Sequence, residues 1–306
     1  MDLSALIRPR DQKFQSELTL VWQERADLQA AYPDATGAGL IHWAAVNGPV
    51  EYPERLGGFY PPVPPQGLLT DIGGGDTPHQ HLLTSVENLA TVARLWSTFA
   101  DRPFHTIESV LDFGCGPGRV ARWLPVAIPG GSVVGCDVRR APIDWCAEYL
   151  TGRFFCSEQS PPLPLPDDAV DLVYALSVFS HLHPTSGAAW IRELARVCRP
   201  GGLILVTAFG GFALYVMAHS EARGSAAGLS PEEARDLLRR LSAHRVLFHA
   251  VTGKRLEVLG EVESVYGQTF LTAEHFAADW SDAVELLGHV PASYSSLQDF
   301  FVLRPR

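Results

Sequence analysis

Residues Val110-Leu111-Asp112-Phe113-Gly114-Cys115-Gly116-Pro117-Gly118-Arg119 join an apolar run to a loop with glycine at every second position. The run suits a buried strand, and the residues beyond Gly118 suit a helix. Glycine in such a loop tolerates positive φ and lets a ligand lie against bare backbone. The helix start offers unpaired N–H groups and a partial positive charge, which welcome a phosphate or a carboxylate. The spacing is G-x-G-x-G. A nicotinamide-binding loop prefers G-x-G-x-x-G with an acidic residue about 20 positions on, so an NAD-dependent oxidoreductase is the competing reading. Asp112 precedes the loop. Asp137 ends the next apolar run, Val133-Val134-Gly135-Cys136-Asp137, where its two oxygens can accept from both hydroxyls of a ribose.

Outward from this loop, strand and helix signals alternate. Strands are expected at Val110–Phe113, Val133–Cys136, Phe154–Cys156, Val170–Ala175 and Leu203–Thr207, each a short apolar run bounded by Gly, Pro or charge. Crossover helices are expected at Arg119–Ala127, Ala141–Leu150 and Gly187–Cys198, the pattern of an α/β fold with parallel strands. The stretch Phe212–Glu263 breaks the rhythm with two helical segments, Phe212–Ala222 and Pro231–Ala243, and reads as an insertion. A helix near Ala273–Trp280 and strands near Val284–Val290 and Asp299–Leu303 close the chain. Ahead of the core, Leu18, Val21, Trp22 and Arg25 have helical spacing. An aromatic-rich stretch follows and ends in the stiff connector Tyr60-Pro61-Pro62-Val63-Pro64-Pro65. Gly73-Gly74-Gly75-Asp76 then punctuates the chain before a helix from about Pro78 to Ala100.

From Ser109 to Phe209 the sequence resembles the class I S-adenosylmethionine-dependent methyltransferases. Asp112–Gly118 matches the family's first motif and Asp137 its ribose acid. Phe155-Cys156-Ser157-Glu158 and Pro162-Leu163-Pro164-Leu165-Pro166-Asp167-Asp168 resemble the segment beside the adenine. Val170-Asp171-Leu172-Val173-Tyr174-Ala175-Leu176-Ser177 and Arg196-Val197-Cys198-Arg199-Pro200-Gly201-Gly202 match the fourth strand and the turn before the fifth. The resemblance implies a Rossmann-like seven-stranded sheet with helices on both faces, the last strand antiparallel beside the fifth. It implies S-adenosyl-L-methionine as cofactor and S-adenosyl-L-homocysteine as product. The implied cofactor contacts are Asp112, Gly114, Gly116, Gly118, Asp137, Val138, Ser157, Glu158, Leu176 and Ser177. Many relatives place Asp after the third strand, whereas Ser157 and Glu158 stand here. Ser177-Val178-Phe179-Ser180-His181-Leu182, with Trp190 and Gln298-Asp299, resembles a bacterial subgroup associated with glycan and secondary-metabolite pathways. The implied organisation is an N-terminal extension over residues 1–75 and a methyltransferase domain over 76–306, with an insertion or lid at about 210–268.

Methyl transfer needs an in-line nucleophile and, for a hydroxyl acceptor, a base. His181 follows the fourth strand on the edge where open α/β sheets bind ligands, and a neutral imidazole suits proton removal. His183 is the alternative base. Either ring can instead pack beside the cofactor or cap the next helix. His79, His81 and Asp76 make at most a metal half-site, with no third imidazole in view, so no metal is expected. His219, Glu221 and Arg223 follow the insertion's apolar helix and are candidates to line an acceptor pocket. The N-terminal region and the insertion are expected to cover the carboxyl edge of the sheet.

The chain of 306 residues is 46% hydrophobic and carries a formal charge of −10. The apolar content excludes wholesale disorder. The charge disfavours a nucleic-acid binder, whose affinity rests on phosphate contacts. Five scattered cysteines without a C-x-x-C pair read as reduced thiols of a cytoplasmic protein. The opening residues lack a signal-peptide pattern. The uncharged stretch between Arg199 and Glu221 is broken by Pro200-Gly201-Gly202 and Gly210-Gly211, which argues against a membrane span. The expected function is O-methylation of a hydroxyl on a sugar or small metabolite, with a homodimer as the one self-association considered. N-methylation of a small molecule and an idle scaffold subunit of a glycan-modifying complex are the alternatives.

Overall fold

The computed structural model describes residues 3–70, 76–250 and 267–306, so Gly73-Gly74-Gly75 and residues 251–266 of the insertion lie outside the described residues. The chain divides into two compact units, one of residues 1–108 with 115–156 and one of residues 109–114 with 157–306. None of the helices among the described residues is long and apolar enough to cross a membrane.

In the first unit, helix Gln12–Glu24 buries Phe14, Leu18 and Val21, the face its spacing predicts. Helix Pro78–Phe99 starts at a capping box, in which Thr77 and Gln80 satisfy each other's backbone N–H. Phe14 meets Tyr60 edge-on at 5.8 Å, and Tyr60 meets Trp123 at 5.7 Å. The Trp123 indole donates to Ser85 Oγ at 2.7 Å. Arg122, 1% exposed, donates from Nη2 to the carbonyls of Pro61 and Pro62. Proline-rich backbone has no ladder of its own, so these carbonyls are available to a side chain. Strands β2 (Ser132–Asp137) and β3 (Arg153–Cys156) pair in parallel, with Asp137 opposite Cys156, joined through helix Arg140–Tyr149. The crossover helix expected at Arg119–Ala127 is replaced by turns, a 3-10 turn Ala121–Trp123 and a single helical turn Leu124–Ala127. Pro125 lacks the N–H that a longer helix would need.

In the second unit, β1 (Ser109–Phe113), β4 (Val170–Ala175) and β5 (Cys198–Phe209) run parallel in that order. β9 (Gln298–Pro305) lies antiparallel against β5, and β8 (Val284–Tyr294) antiparallel against β9. The antiparallel strand beside the fifth is therefore present. Every residue of β1 and β4 is buried, as expected for strands covered on both faces.

The insertion differs from its expected helical make-up. Its first helix ends at His219, and Ser220 caps a separate helix, Glu221–Ala227. Two strands are additional, β6 (Val246–Ala250) and β7 (Gly267–Leu271), paired antiparallel. β7 joins β5 through one parallel pair, Phe209 opposite Phe270. Helices Gly211–His219 and Pro231–His244 pack with this hairpin around a core that includes Leu214, Met217, Leu237, Leu241 and Leu247. The insertion thus grows from the carboxyl end of β5.

Candidate active site

The three loop glycines adopt the backbone that the spacing demands, with φ of 74° at Gly114, 52° at Gly116 and 75° at Gly118. In the first unit, a β-carbon at Gly118 would collide with Leu150 and crowd Cys146 Sγ, so only glycine fits. The loop is tied to β2 by Cys115 N–H donating to the Cys136 carbonyl at 2.9 Å. Asp137, 9% exposed, accepts from Gly116 N–H at Oδ2 and from Arg139 N–H at Oδ1, each at 2.9 Å. These bonds fix the carboxylate's orientation; Oδ1 also accepts from Arg139 Nε at 3.4 Å, and Oδ2 keeps a second lone pair. A bare-backbone loop beside an oriented, acceptor-only carboxylate fits a ribose diol. Val138 is 46% exposed beside it.

In the second unit, Asp112 is buried in β1 and accepts from the Tyr174 hydroxyl at 2.8 Å. A β-carbon at Gly114 would collide with Val178 Cγ2, so the loop's first glycine abuts the turn after β4. That turn is Ser177–His181, closed by His181 N–H donating to the Val178 carbonyl at 2.9 Å. Ser177 stands at φ 59°, a left-handed conformation costing a side-chain-bearing residue about 1–3 kcal/mol. Its N–H donates to Thr207 Oγ1 at 2.7 Å, Thr207 donates to Gln298 Oε1 at 2.9 Å, and Gln298 Nε2 donates to Ser177 Oγ at 2.8 Å. Leu176 is half-buried beside this circuit; Ser157 is half-buried and Glu158 exposed.

His181 is held on both its backbone and its ring by β7. Gly267 N–H donates to the His181 carbonyl at 3.1 Å, and His181 Nδ1 lies 3.1 Å from the Gly267 carbonyl. A carbonyl only accepts, so Nδ1 carries a proton. The ring sits edge-on against Phe209 at 6.0 Å. His183 instead caps helix Pro184–Val197, its Nδ1 accepting from Thr185 N–H at 3.3 Å.

The remaining candidates separate. Asp76 pairs with Arg119 at 2.7 Å, His79 is half-buried 3.8 Å from Glu51, and His81 is fully buried. Burial and the nearby Arg119 and Arg122 push the His81 imidazole down to about 2. Among the described residues no three ligating side chains gather into a metal site. His219, Glu221 and Arg223 are exposed, and His219 stacks on Tyr215 at 4.3 Å. The five thiols are free, and burial beside Asp171 pushes Cys198 up to about 12. Thr207 and Gly267 were not singled out by their sequence context. The available signal at Thr207 was a hydroxyl closing an otherwise apolar strand.

Residues 110–202 match the model of a family described as a methyltransferase domain. A tRNA N(3)-cytidine methyltransferase of Gallus gallus is 32% identical over 135 residues, 40% of this chain and 36% of that protein. A fatty-acid O-methyltransferase of Mycolicibacterium smegmatis is 34% identical over 102 residues, 33% of this chain and 36% of that protein. Methyltransferase GfsG of Streptomyces halstedii is 35% identical over 105 residues, 32% of this chain and 37% of that protein. The chain spans well under half the length of each of these curated relatives.

Proposed function

We propose that residues 110–202, which match a methyltransferase-domain family, form a class I S-adenosylmethionine-dependent methyltransferase domain, and that the chain O-methylates a hydroxyl of a sugar or small-molecule metabolite. S-adenosylmethionine is the cofactor; its sulfonium supplies an already activated methyl group. Asp137 and the loop at Gly116–Gly118 hold the ribose and the amino-acid end. The acceptor comes to the carboxyl end of β4 and β5, where His181 removes its proton. The observation that carries the oxygen assignment is the place of His181 on the turn after β4, with its ring oriented by the bond from Nδ1 to the Gly267 carbonyl. An imidazole so oriented suits a hydroxyl, which must shed its proton as it attacks. The formal charge of −10 favours a small acceptor over a nucleic acid.

Trideuteromethyl S-adenosylmethionine incubated with small-molecule extracts, read by mass shift, tests the activity. His181→Asn keeps hydrogen bonding without titration near neutral pH. It is expected to lower turnover by roughly 10²–10⁴-fold with S-adenosylhomocysteine affinity unchanged. Unchanged turnover and an unchanged pH profile would make His181 a structural residue.

A further inference from the structure

The circuit of Ser177, Thr207 and Gln298 has a direction, and that direction bears on which acceptor atom is methylated. The Ser177 N–H can only donate, and Thr207 Oγ1 receives it at 2.7 Å. Thr207 is fully buried, so its own proton needs a partner, and Gln298 Oε1 stands 2.9 Å away. That choice turns the amide so that Nε2 faces Ser177 Oγ at 2.8 Å, where the serine oxygen must accept. The Ser177 hydroxyl proton is then directed away from Gln298. Ser180 Oγ, at 3.5 Å, is a long partner for it. Ser177 is half-buried and shares its tight turn with His181, whereas Thr207 and Gln298 are buried behind it.

We propose that Ser177 is a specificity-determining residue that donates its hydroxyl proton to the reacting atom of the acceptor, with Thr207 and Gln298 as positioning residues that fix this polarity. The inference rests on the methyltransferase reading above. An acceptor hydroxyl has two lone pairs on oxygen: one takes the hydrogen bond from Ser177 and the other attacks. As the C–O bond forms, the C–S bond breaks with its electron pair going to sulfur, and the hydroxyl proton passes to His181 Nε2. A neutral amine has one lone pair. Held by Ser177 it cannot attack, and a protonated amine has none to offer. The polarity of the circuit therefore selects oxygen over nitrogen.

Neutron diffraction from deuterium-exchanged wild-type crystals reads the polarity directly. The deuteron on Ser177 Oγ is expected to point away from Gln298; one pointing at Gln298 overturns the proposal. Gln298→Glu replaces the donor with a second acceptor of nearly the same shape and turns the Ser177 proton inward. Its turnover is expected to fall about 10²-fold, as when a contact that positions the reacting atom is lost. S-adenosylhomocysteine affinity by calorimetry should stay within about threefold, so that the loss is one of transfer rather than of cofactor binding. Should that variant not fold, Ser177→Gly suits the left-handed backbone and removes the hydroxyl, with the same expected loss. Unchanged turnover in Ser177→Gly, or loss of S-adenosylhomocysteine binding in it, overturns the proposal. The labelled products of the extract experiment separate the two levels: methyl on nitrogen or sulfur overturns the oxygen selection and leaves the methyltransferase intact. No labelled product from any extract sinks the function itself, while the neutron result still decides the polarity.

Discussion

Asp137 accepts two backbone bonds, so on the proposed function its removal acts on two levels. Asp137→Ala would take the acceptors from the ribose, and it leaves the Gly116 and Arg139 N–H groups without their carboxylate. Calorimetry with S-adenosylhomocysteine should show a loss on the order of 2–4 kcal/mol, the scale of two charge-assisted bonds. Equal affinity of variant and wild type would remove Asp137 from the cofactor site. His81 gives a different kind of prediction. Its imidazole is held neutral down to about 2, while in the unfolded chain it titrates near 6.5. Below pH 6.5 the unfolded state therefore binds a proton that the native state refuses, and stability falls as pH falls, by up to about 1.4 kcal/mol per pH unit. Urea unfolding at pH 7, 6 and 5 should show a shallower acid loss in His81→Leu than in wild type. Parallel curves would mean that His81 is protonated in the fold.

At the scale of elements, β7 is both a strand of the insertion and the clamp on the His181 turn. Thr269 N–H donates to the Ser180 carbonyl at 2.8 Å, beside the two bonds between Gly267 and His181. A β-carbon at Gly267 would collide with the His249 carbonyl and lie 2.6 Å from the Phe248 ring. Gly267→Ala should therefore displace the strand end that orients His181, the proposed base. The expected result is a turnover reduced at least tenfold with S-adenosylhomocysteine affinity retained, from steady-state rates and calorimetry on the same preparation. Equal loss in both would place the clamp on the cofactor instead. The strands β1 to β5, β8 and β9 were legible in sequence because each holds an apolar run between breakers. β6 and β7 were not, since Gln268 and Thr269 are buried polar residues that interrupt the apolar signal of β7. The bend of the glycine loop and its bond to Asp137 were legible because the loop and the end of the next strand follow each other along the chain. The circuit behind Ser177 was not, because Thr207 and Gln298 lie 30 and 121 positions away.

For the whole molecule, the N-terminal region belongs to the same unit as the turn after the glycine loop. Tyr60 covers Trp123, and the Pro61 and Pro62 carbonyls receive the buried Arg122. A chain beginning after Tyr60 would expose the Trp123 ring and remove Phe14 and Tyr60 from that core. It should melt at lower temperature and lose S-adenosylhomocysteine affinity, measured by calorimetry and thermal unfolding. Retention of both would leave the region with a task outside this unit. The insertion is organised differently, with a core that it shares with Phe209 of β5 and a single parallel pair to that strand among the described residues. Because that same segment holds His181 through Gly267, recombination that exchanged it between related genes would replace the base's support along with the surrounding surface. On the proposed function, a lineage descending from such an exchange would inherit a changed acceptor surface and a newly aimed His181 in one event, with the glycine loop unaltered.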